Sequence, residues 1–195
     1  MGFDLDKQNA LTKLDKSKKG DVDKPIQKIL TILNGKKNYY TTSSCSGRII
    51  IMKIPQKGRK CDVQWLFCSH QPAKVQEIVL SLKKSLKEIK QNVKHDIWFK
   101  QESAILHIAC RDLHAAELLL HIVRDCGLKR SGIISTKGKI ILEIINTNNM
   151  ATIIAKQGKI IVDKKYLNIL VKEANAKLDS NFKKLERLEN ALKKL

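Results

Sequence analysis

Short apolar runs of strand length alternate along this chain with stretches whose apolar residues recur every three or four positions. The runs predict strands at 48–54, 61–69, 97–99, 105–110, 138–145 and 158–163, and the turn at 55–60 predicts a hairpin between the first two. The helical spacing predicts helices over 24–34, 71–91 and 112–126, and a long helix from residue 164 onward. Neither a Gly-x-Gly-x-x-Gly nor a Walker sequence is present, which argues against a Rossmann-type cofactor loop. We therefore predict an α+β fold, not Rossmann, with a mixed or antiparallel sheet and flanking helices.

Segment 44–54 is similar to segment 135–144, since both contain a glycine followed by a cation and a run of isoleucine or leucine. The same shift places helix 24–34 on 115–125, and helix 74–90 on the terminal helix. This similarity favours one domain over 1–195 with a two-fold internal duplication, its pseudo-repeats lying at about 24–91 and 112–195. Such strand patterns are common, so chance similarity is the alternative.

Cationic residues outnumber acidic ones by 38 to 19, which gives a formal net charge of +19 at pH 7. Between Lys24 and Cys61 the chain has nine Lys or Arg residues and no Asp or Glu. So large a charge indicates a polyanionic partner, with nucleic acid as the first candidate. A lysine-rich proteome adapted to heat or salt is the alternative, but it would spread the charge evenly along the chain.

The chain has no run of about 20 apolar residues that could cross a membrane, and its start lacks the features of a signal peptide. We therefore expect a cytoplasmic location and no membrane partner. The five cysteines are an odd number without tight pairs, which argues against a disulfide framework. Cys61, Cys68 and His70 lie close together in sequence, but their spacing does not match that of structural zinc sites. We predict buried thiols and no metal.

Positions 41–46 carry only hydroxyl or thiol side chains, and Gly47 and Arg48 follow them. In a loop, these hydroxyls, nearby backbone N–H groups and the guanidinium would form a surface that recognises an anion or a phosphate and leads into a strand. A serine-rich turn on a lysine-rich protein is the alternative.

Aromatic residues are few, with two Trp, three Tyr and four Phe, which is thin for a platform that binds single-stranded nucleic acid. Tyr39 and Tyr40 are the best candidates for stacking on a base. Trp65, Trp98 and Phe99 are predicted to be core residues.

Polar residues also lie at the ends of three other predicted elements. His70 follows a strand and could act as a general base, although a polar strand end is the alternative. Asp112 is predicted to cap the helix that follows, and Arg111 beside it would stay available for an anion. Segment 129–132 again combines cations, a hydroxyl and a glycine.

The chain contains Asp23-Lys-Pro-Ile, Tyr39-Tyr-Thr-Thr-Ser-Ser-Cys-Ser-Gly-Arg48, Trp65-Leu-Phe-Cys-Ser-His70, Leu106-His-Ile-Ala-Cys-Arg111 and Lys129-Arg-Ser-Gly-Ile133. In these segments, and over essentially its whole length, it resembles the tRNA wybutosine-synthesising protein 3 family. The resemblance implies an S-adenosylmethionine-dependent methyltransferase with tRNA-Phe as its partner. The implied reaction methylates N4 of the 7-aminocarboxypropyl-demethylwyosine precursor next to the anticodon.

The chemistry of this reaction implies roles for particular residues. An arginine suits the carboxylate of the cofactor and another suits that of the acceptor arm, because paired N–H donors fix both orientation and charge. The implied catalytic residues are His70 as proton acceptor, with Arg48 and Arg111. The implied cofactor-binding residues are Ser43, Ser44, Ser46, Gly47, Arg130, Ser131 and Gly132. The implied RNA-binding residues are Lys36, Lys37, Tyr39, Tyr40, Lys57, Arg59 and Lys60.

Two other classes of function remain open from the residues alone. A non-catalytic basic RNA-binding module would bind many RNAs with a steep salt dependence and ignore the cofactor. An assembly protein would self-associate through the apolar stripe of the terminal helix.

Overall fold

The computed structural model describes residues 2–12, 22–55, 62–87 and 95–195. Within these ranges the helices are α1 (Phe3–Thr12), α2 (Gln27–Gly35), α3 (Val75–Lys87), α4 (Leu113–Asp125) and α5 (Lys164–Leu192), and a 3₁₀ turn at Lys24–Ile26 precedes α2. The strands are β1 (Tyr39–Cys45), β2 (Arg48–Pro55), β3 (Gln64–Ser69), β4 (His95–Glu102), β5 (Ile105–Cys110), β6 (Gly132–Ser135), β7 (Ile140–Ile145), β8 (Met150–Lys156) and β9 (Lys159–Ile160).

The chain forms two compact units, each with one sheet. The first unit consists of Met1–Ser46, Ser103–Thr147 and Asn181–Leu195, and the second of Gly47–Glu102 and Asn148–Ser180. All strand pairs within the described residues are antiparallel. This confirms the predicted α+β class with antiparallel strands and helices. Each unit takes segments from both predicted pseudo-repeats, and the single domain and its duplication stay predictions.

The sheet of the first unit has the strand order β1-β5-β7-β6 and buries one face. Successive side chains of a strand point to opposite faces, so Leu106 and Ile108 of β5 and Leu142 and Ile144 of β7 share that face. They belong to a core cluster with buried residues of α2, of α4 and of the last part of α5. We call this the core face of the sheet, and the opposite face the outer face.

Helix α4 illustrates how local sequence sets an element on this face. The Asp112 side chain accepts a hydrogen bond from the Ala115 N–H at 2.7 Å, so it caps the helix as predicted. Its buried residues Ala115, Ala116, Leu119 and Val123 follow the helical spacing and face the core. The helix ends before Gly127, whose φ of +90° is a backbone conformation that favours glycine.

Helix α1 covers one end of the outer face. None of its residues is buried. The Phe3 ring lies 5.1 Å from the Tyr40 ring between centroids, and Asp4 and Asp6 form ion pairs with Arg111 and Lys139 respectively. Since exposed ion pairs contribute little to stability, α1 is held weakly compared with the core helices.

The sheet of the second unit has the strand order β3-β2-β4-β8-β9. The predicted hairpin is confirmed, because β2 and β3 are paired antiparallel neighbours. Ile49, Ile50 and Ile51 of β2 are all fully buried, which accounts for the continuous apolar run in this strand. Helix α3 buries Ile78 and Leu82, one helical turn apart.

Three strands were absent from the prediction. They are β1, β6 and β8, and the strand predicted at 158–163 is reduced to the two residues of β9. No helix in the described parts of the chain combines the length and the apolar character that a membrane span requires.

Candidate functional site

The hydroxyl-rich segment is a strand and not the predicted loop. β1 pairs with β5 from Tyr39 to Cys45, with a bulge between Thr41 and Ser43, and its other edge carries no strand among the described residues. Thr42, Ser43 and Ser44 are all exposed. The polar run therefore presents its hydroxyl groups from a rigid sheet edge, a setting that holds side chains more precisely than a loop does.

Strand geometry separates the three serines that were predicted to bind a cofactor together. Ser43 is paired with His107 and lies on the outer face, whereas Ser44 is paired with Leu106 on the core side. Ser46 is fully buried beyond the end of the strand. The structure therefore contradicts a single cofactor surface made of all three hydroxyls.

Ser46 is anchored through its backbone. Its N–H donates to Asp23 Oδ2 at 2.8 Å, and its carbonyl accepts from Asn181 Nδ2 at 2.8 Å. Asp23 precedes the 3₁₀ turn, but its side chain makes no cap hydrogen bond there and accepts from the Ser46 N–H instead. These contacts give Ser46 a structural role at the end of β1.

A polar row runs across three strands on the outer face of this sheet. Ser43 of β1, His107 of β5 and Glu143 of β7 are in register, and Gly132 of β6 continues the row. Ser43 Oγ lies 2.7 Å from His107 Nδ1, and His107 Nε2 lies 3.0 Å from Glu143 Oε1. This hydroxyl–imidazole–carboxylate chain is the arrangement that proteins use to accept or transfer a proton.

Arg111 belongs to the same face but is already paired. Its guanidinium binds both carboxylate oxygens of Asp4, donates to the Lys37 carbonyl at 3.1 Å and lies 4.5 Å from the centre of the Phe3 ring. The hydrogen bond from Arg111 lowers the pKa of Asp4, and the bond to Asp4 raises the pKa of Arg111. The prediction that Arg111 stays available for an anion is therefore wrong while α1 is in place.

The segment around Ser131 is partly structural. Ser131 is buried, its Oγ accepts from the Ile145 N–H at 3.1 Å and its carbonyl accepts from Arg124 Nη2 at 3.2 Å. This position disfavours Ser131 as a cofactor ligand. Arg130 is exposed, and no atom lies within 4 Å of the place where a Cβ on Gly132 would stand.

The second unit has its own polar cluster where β2 begins, and we call it the Arg48 cluster. It consists of Gly47, Arg48, Trp65, His70 and Glu102. Arg48 Nε donates to Glu102 Oε2 at 2.8 Å, and the guanidinium carbon lies 4.4 Å from the centre of the Trp65 ring. Trp65 is 44% exposed, so its prediction as a core residue is wrong, whereas Phe99 is fully buried as predicted.

His70 takes a defined tautomer in this cluster. Its Nδ1 lies 3.0 Å from the Gly47 carbonyl oxygen, which can only accept, so Nδ1 carries a proton. In the neutral ring, Nε2 then has the lone pair that a general base requires. Gly47 supports this geometry with a φ of +93°.

The predicted RNA-binding residues have different environments. Tyr39 and Tyr40 are 3% and 1% exposed, so neither can stack on a base in this structure. Tyr39 OH donates to the Ala115 carbonyl at 2.9 Å, and burial raises the pKa of Tyr39 to about 12. Lys36 is half-buried and Lys37 is exposed. Lys57, Arg59 and Lys60 lie outside the described residues.

The described cysteines form no disulfide with one another. Cys110 and Cys126 are buried as predicted, Cys45 is half-buried, and Cys68 is exposed, which contradicts its prediction as a buried thiol. Cys61 lies outside the described residues.

A cavity of about 570 Å³ in the first unit is lined by none of the predicted site residues. It is formed by α4 and the end of α5, and it is lined by Leu118, Ile122, Asp125, Cys126, Arg187, Ala191, Lys194 and Leu195. The lining is apolar apart from Cys126 and the three charged residues Asp125, Arg187 and Lys194.

Three residues of these two clusters were not predicted from the sequence, and they are His107, Glu143 and Glu102. His107 and Glu143 were visible as single polar residues inside apolar strands, since each lies between an isoleucine or leucine on either side. The two side chains are in contact because β5 pairs with β7, and the sequence pattern does not predict that pairing.

Comparison with known proteins gives consistent results. The family model described as Methyltransferase TYW3 matches residues 5–194. A protein of Thermococcus sibiricus, named tRNA(Phe) 7-((3-amino-3-carboxypropyl)-4-demethylwyosine(37)-N(4))-methyltransferase, is 38% identical, over 99% of this chain and 95% of its own length. A tRNA wybutosine-synthesizing protein 3 homolog of Bos taurus is 35% identical, over 96% of this chain and 73% of its own length. A solved structure from Pyrococcus horikoshii has a TM-score of 0.87 at 35% identity, and the match covers 98% of this chain and 96% of that one.

Proposed function

The chain belongs to the Methyltransferase TYW3 family, and we propose that it transfers a methyl group from S-adenosylmethionine to N4 of the 7-(3-amino-3-carboxypropyl)-4-demethylwyosine residue of tRNA(Phe). The observation that carries this proposal is the match of archaeal relatives named for this reaction over nearly the full length of both chains. The formal charge of +19 suits a polyanionic substrate such as tRNA.

The Arg48 cluster fits one requirement of the cofactor or the acceptor arm. Both carry an amino acid group whose carboxylate pairs best with the two parallel N–H donors of a guanidinium. Glu102 occupies Arg48 Nε, while the described residues accept no hydrogen bond from the Nη groups. Arg111 fits this requirement less well, because Asp4 holds both of its Nη groups.

S-adenosylmethionine supplies an electrophilic methyl group bound to a sulfonium. The residues of the chain then have two tasks, to align the acceptor nitrogen and to take its proton. Alignment alone contributes several kcal/mol to reactions of this kind. In this proposal Arg48 orients a carboxylate, and exposed cations such as Lys37 and Arg130 bind phosphates of the tRNA. The proton acceptor in this proposal is one of two histidines. They are His70 of the Arg48 cluster and His107, which lies next to Ser43.

A methyl-transfer assay tests the proposal. The purified chain is incubated with isotopically labelled S-adenosylmethionine and one of two RNAs: tRNA(Phe) that carries the demethylwyosine precursor, or the same tRNA with an unmodified guanosine. We expect label only in the precursor tRNA. Equal binding of both RNAs without any transfer would contradict the enzyme and support a non-catalytic RNA-binding module.

A further inference from the structure

The polar row on the outer face of the first unit has a fixed direction. An ionised Glu143 carboxylate can only accept, so His107 Nε2 carries the proton of the 3.0 Å hydrogen bond between them. In the neutral ring Nδ1 is then the acceptor, and the Ser43 hydroxyl donates to it at 2.7 Å. The row is therefore a base supported by a carboxylate, with a polarised hydroxyl at its exposed end.

The row is accessible at the Ser43 end. Ser43 is exposed, and the His107 and Glu143 side chains are 28% and 26% exposed. Helix α1 covers the other end of this face, at Tyr40 and Arg111. Gly132, next in register after Glu143, leaves open space where a side chain would stand. A flat molecule such as a nucleobase can therefore approach this part of the sheet.

We propose that Ser43, His107 and Glu143 form the proton-accepting chain of the methyl transfer, an inference that rests on the proposed function. As the acceptor nitrogen forms its bond to the methyl carbon, the carbon–sulfur bond breaks and the nitrogen loses its proton to Ser43 Oγ. The Ser43 proton moves to His107 Nδ1 at the same time. The net change is one proton from the nitrogen to His107, whose positive charge Glu143 stabilises until water removes the proton.

A simple polar ladder on a solvent-facing sheet is the competing explanation, since cross-strand polar pairs are common there. A ladder would contribute a little to stability and nothing to the rate. The two explanations therefore differ in kcat and in its pH dependence, and much less in folding.

The charged surroundings of His107 are limited. On β7 it faces Glu143, and on β1 it faces the neutral hydroxyl of Ser43. Among the described residues, the contacts of α1 place five further charged groups at the end of this face that α1 covers, and they are Asp4, Asp6, Lys7, Arg111 and Lys139. If a dependence of kcat on pH disappears in a His107 variant and persists in an Asp4 variant, it therefore arises from the polar row and not from the groups near α1.

The test measures kcat and KM for precursor tRNA against pH. In His107→Gln we expect kcat to fall by about 100-fold or more, with KM for tRNA nearly unchanged, because a positioned base contributes that much to proton transfer. Any dependence of wild-type kcat on pH that arises from this base should be absent in this variant. Glu143→Gln should lower kcat less, and the double variant should be no worse than His107→Gln alone, because the two residues act as a unit.

Two controls make the outcome decisive. His121→Gln removes an exposed histidine from α4 of the same unit and should leave kcat unchanged. His70→Gln tests the other candidate acceptor. If the wild-type chain is active and His107→Gln keeps the wild-type kcat and pH profile, the proton-accepting row is refuted while the proposed function stands. If the wild-type chain transfers no methyl group to precursor tRNA, the proposed function fails, and the row has no reaction to serve.

Discussion

Replacing Asn181 by Ala should destabilise the protein strongly, and more than the same replacement of Asn175 in the same helix. Asn181 lies in α5, is fully buried, and holds two backbone groups of the first unit. Its Oδ1 accepts from the Ala104 N–H at 2.9 Å, and its Nδ2 donates to the Ser46 carbonyl at 2.8 Å. Ala104 and Ser46 are themselves buried, so neither group can turn to water.

The expected loss follows from these two bonds. A buried backbone group left without a partner costs about 1–3 kcal/mol, so Asn181→Ala should cost about 2–6 kcal/mol of unfolding free energy. That is a large share of the roughly 5–15 kcal/mol that a typical domain has. Asn181→Leu fills the space but restores neither bond, and it should therefore remain destabilised by about 2 kcal/mol or more.

Asn175 is the matched control. Its side chain accepts from the Ala73 N–H and donates to the Ala73 carbonyl, both at 2.9 Å, but Asn175 itself is only half-buried. Asn175→Ala should therefore cost less, about 1–2 kcal/mol. Urea unfolding followed by far-ultraviolet circular dichroism measures all three variants. A loss of unfolding free energy in Asn181→Ala no larger than that in Asn175→Ala, or wild-type stability in Asn181→Leu, would refute this role of Asn181.

Three other changes test separate parts of the structure. Arg48→Ala should lower kcat/KM for precursor tRNA by about 10- to 100-fold, because the charge-assisted pair between the guanidinium and a carboxylate is lost. The circular dichroism of this variant should stay that of the wild type. Unchanged turnover would remove Arg48 from the mechanism. Asp4→Asn should lower stability at neutral pH only. The pKa of Asp4 is lowered in the folded state, so the stabilisation that the Asp4 carboxylate contributes is present above its ordinary pKa of 3.8 and is lost as the pH falls through the lowered pKa. Urea unfolding of the wild type and the variant at several pH values checks that their difference in stability vanishes at low pH. Gln101→Met should raise the urea midpoint, because the buried Gln101 amide has no hydrogen-bond partner among the described residues, and a lower midpoint would show that the amide is bonded.

Local sequence patterns predicted correctly those features that depend only on residues close together in the chain. Asp112 caps α4 as predicted because a cap depends on neighbours three residues away. The β2–β3 hairpin is likewise confirmed, since its strands are adjacent in sequence. These features required no knowledge of distant residues.

The strand β1 shows where a local signal was misread. Its hydroxyl-rich composition suggested a loop, although tyrosine and threonine favour strands. The serines stay exposed because β1 is the edge strand, and their faces are set by the pairing with β5. The composition correctly indicated that β1 is polar. The pairing of β1 with β5 determines which face of the sheet each serine occupies.

Long-range pairing accounts for the remaining differences. Arg111 finds Asp4 near the other end of the sequence, and Tyr40 is covered by Phe3. Ser43, His107 and Glu143 meet because three strands from distant segments lie side by side. Periodicity gives the face of a residue within its own strand and contains no information about which strand lies next to it.

Nucleoside mass spectrometry of tRNA(Phe) from cells with and without this gene tests the central claim most directly. If the chain methylates N4 of the demethylwyosine precursor, cells without the gene will accumulate a nucleoside lighter by one methyl group, and the purified chain with S-adenosylmethionine will convert it. If the modified nucleoside is the same in both cells, and the purified chain leaves the precursor unchanged, the assignment of this reaction to the chain is wrong.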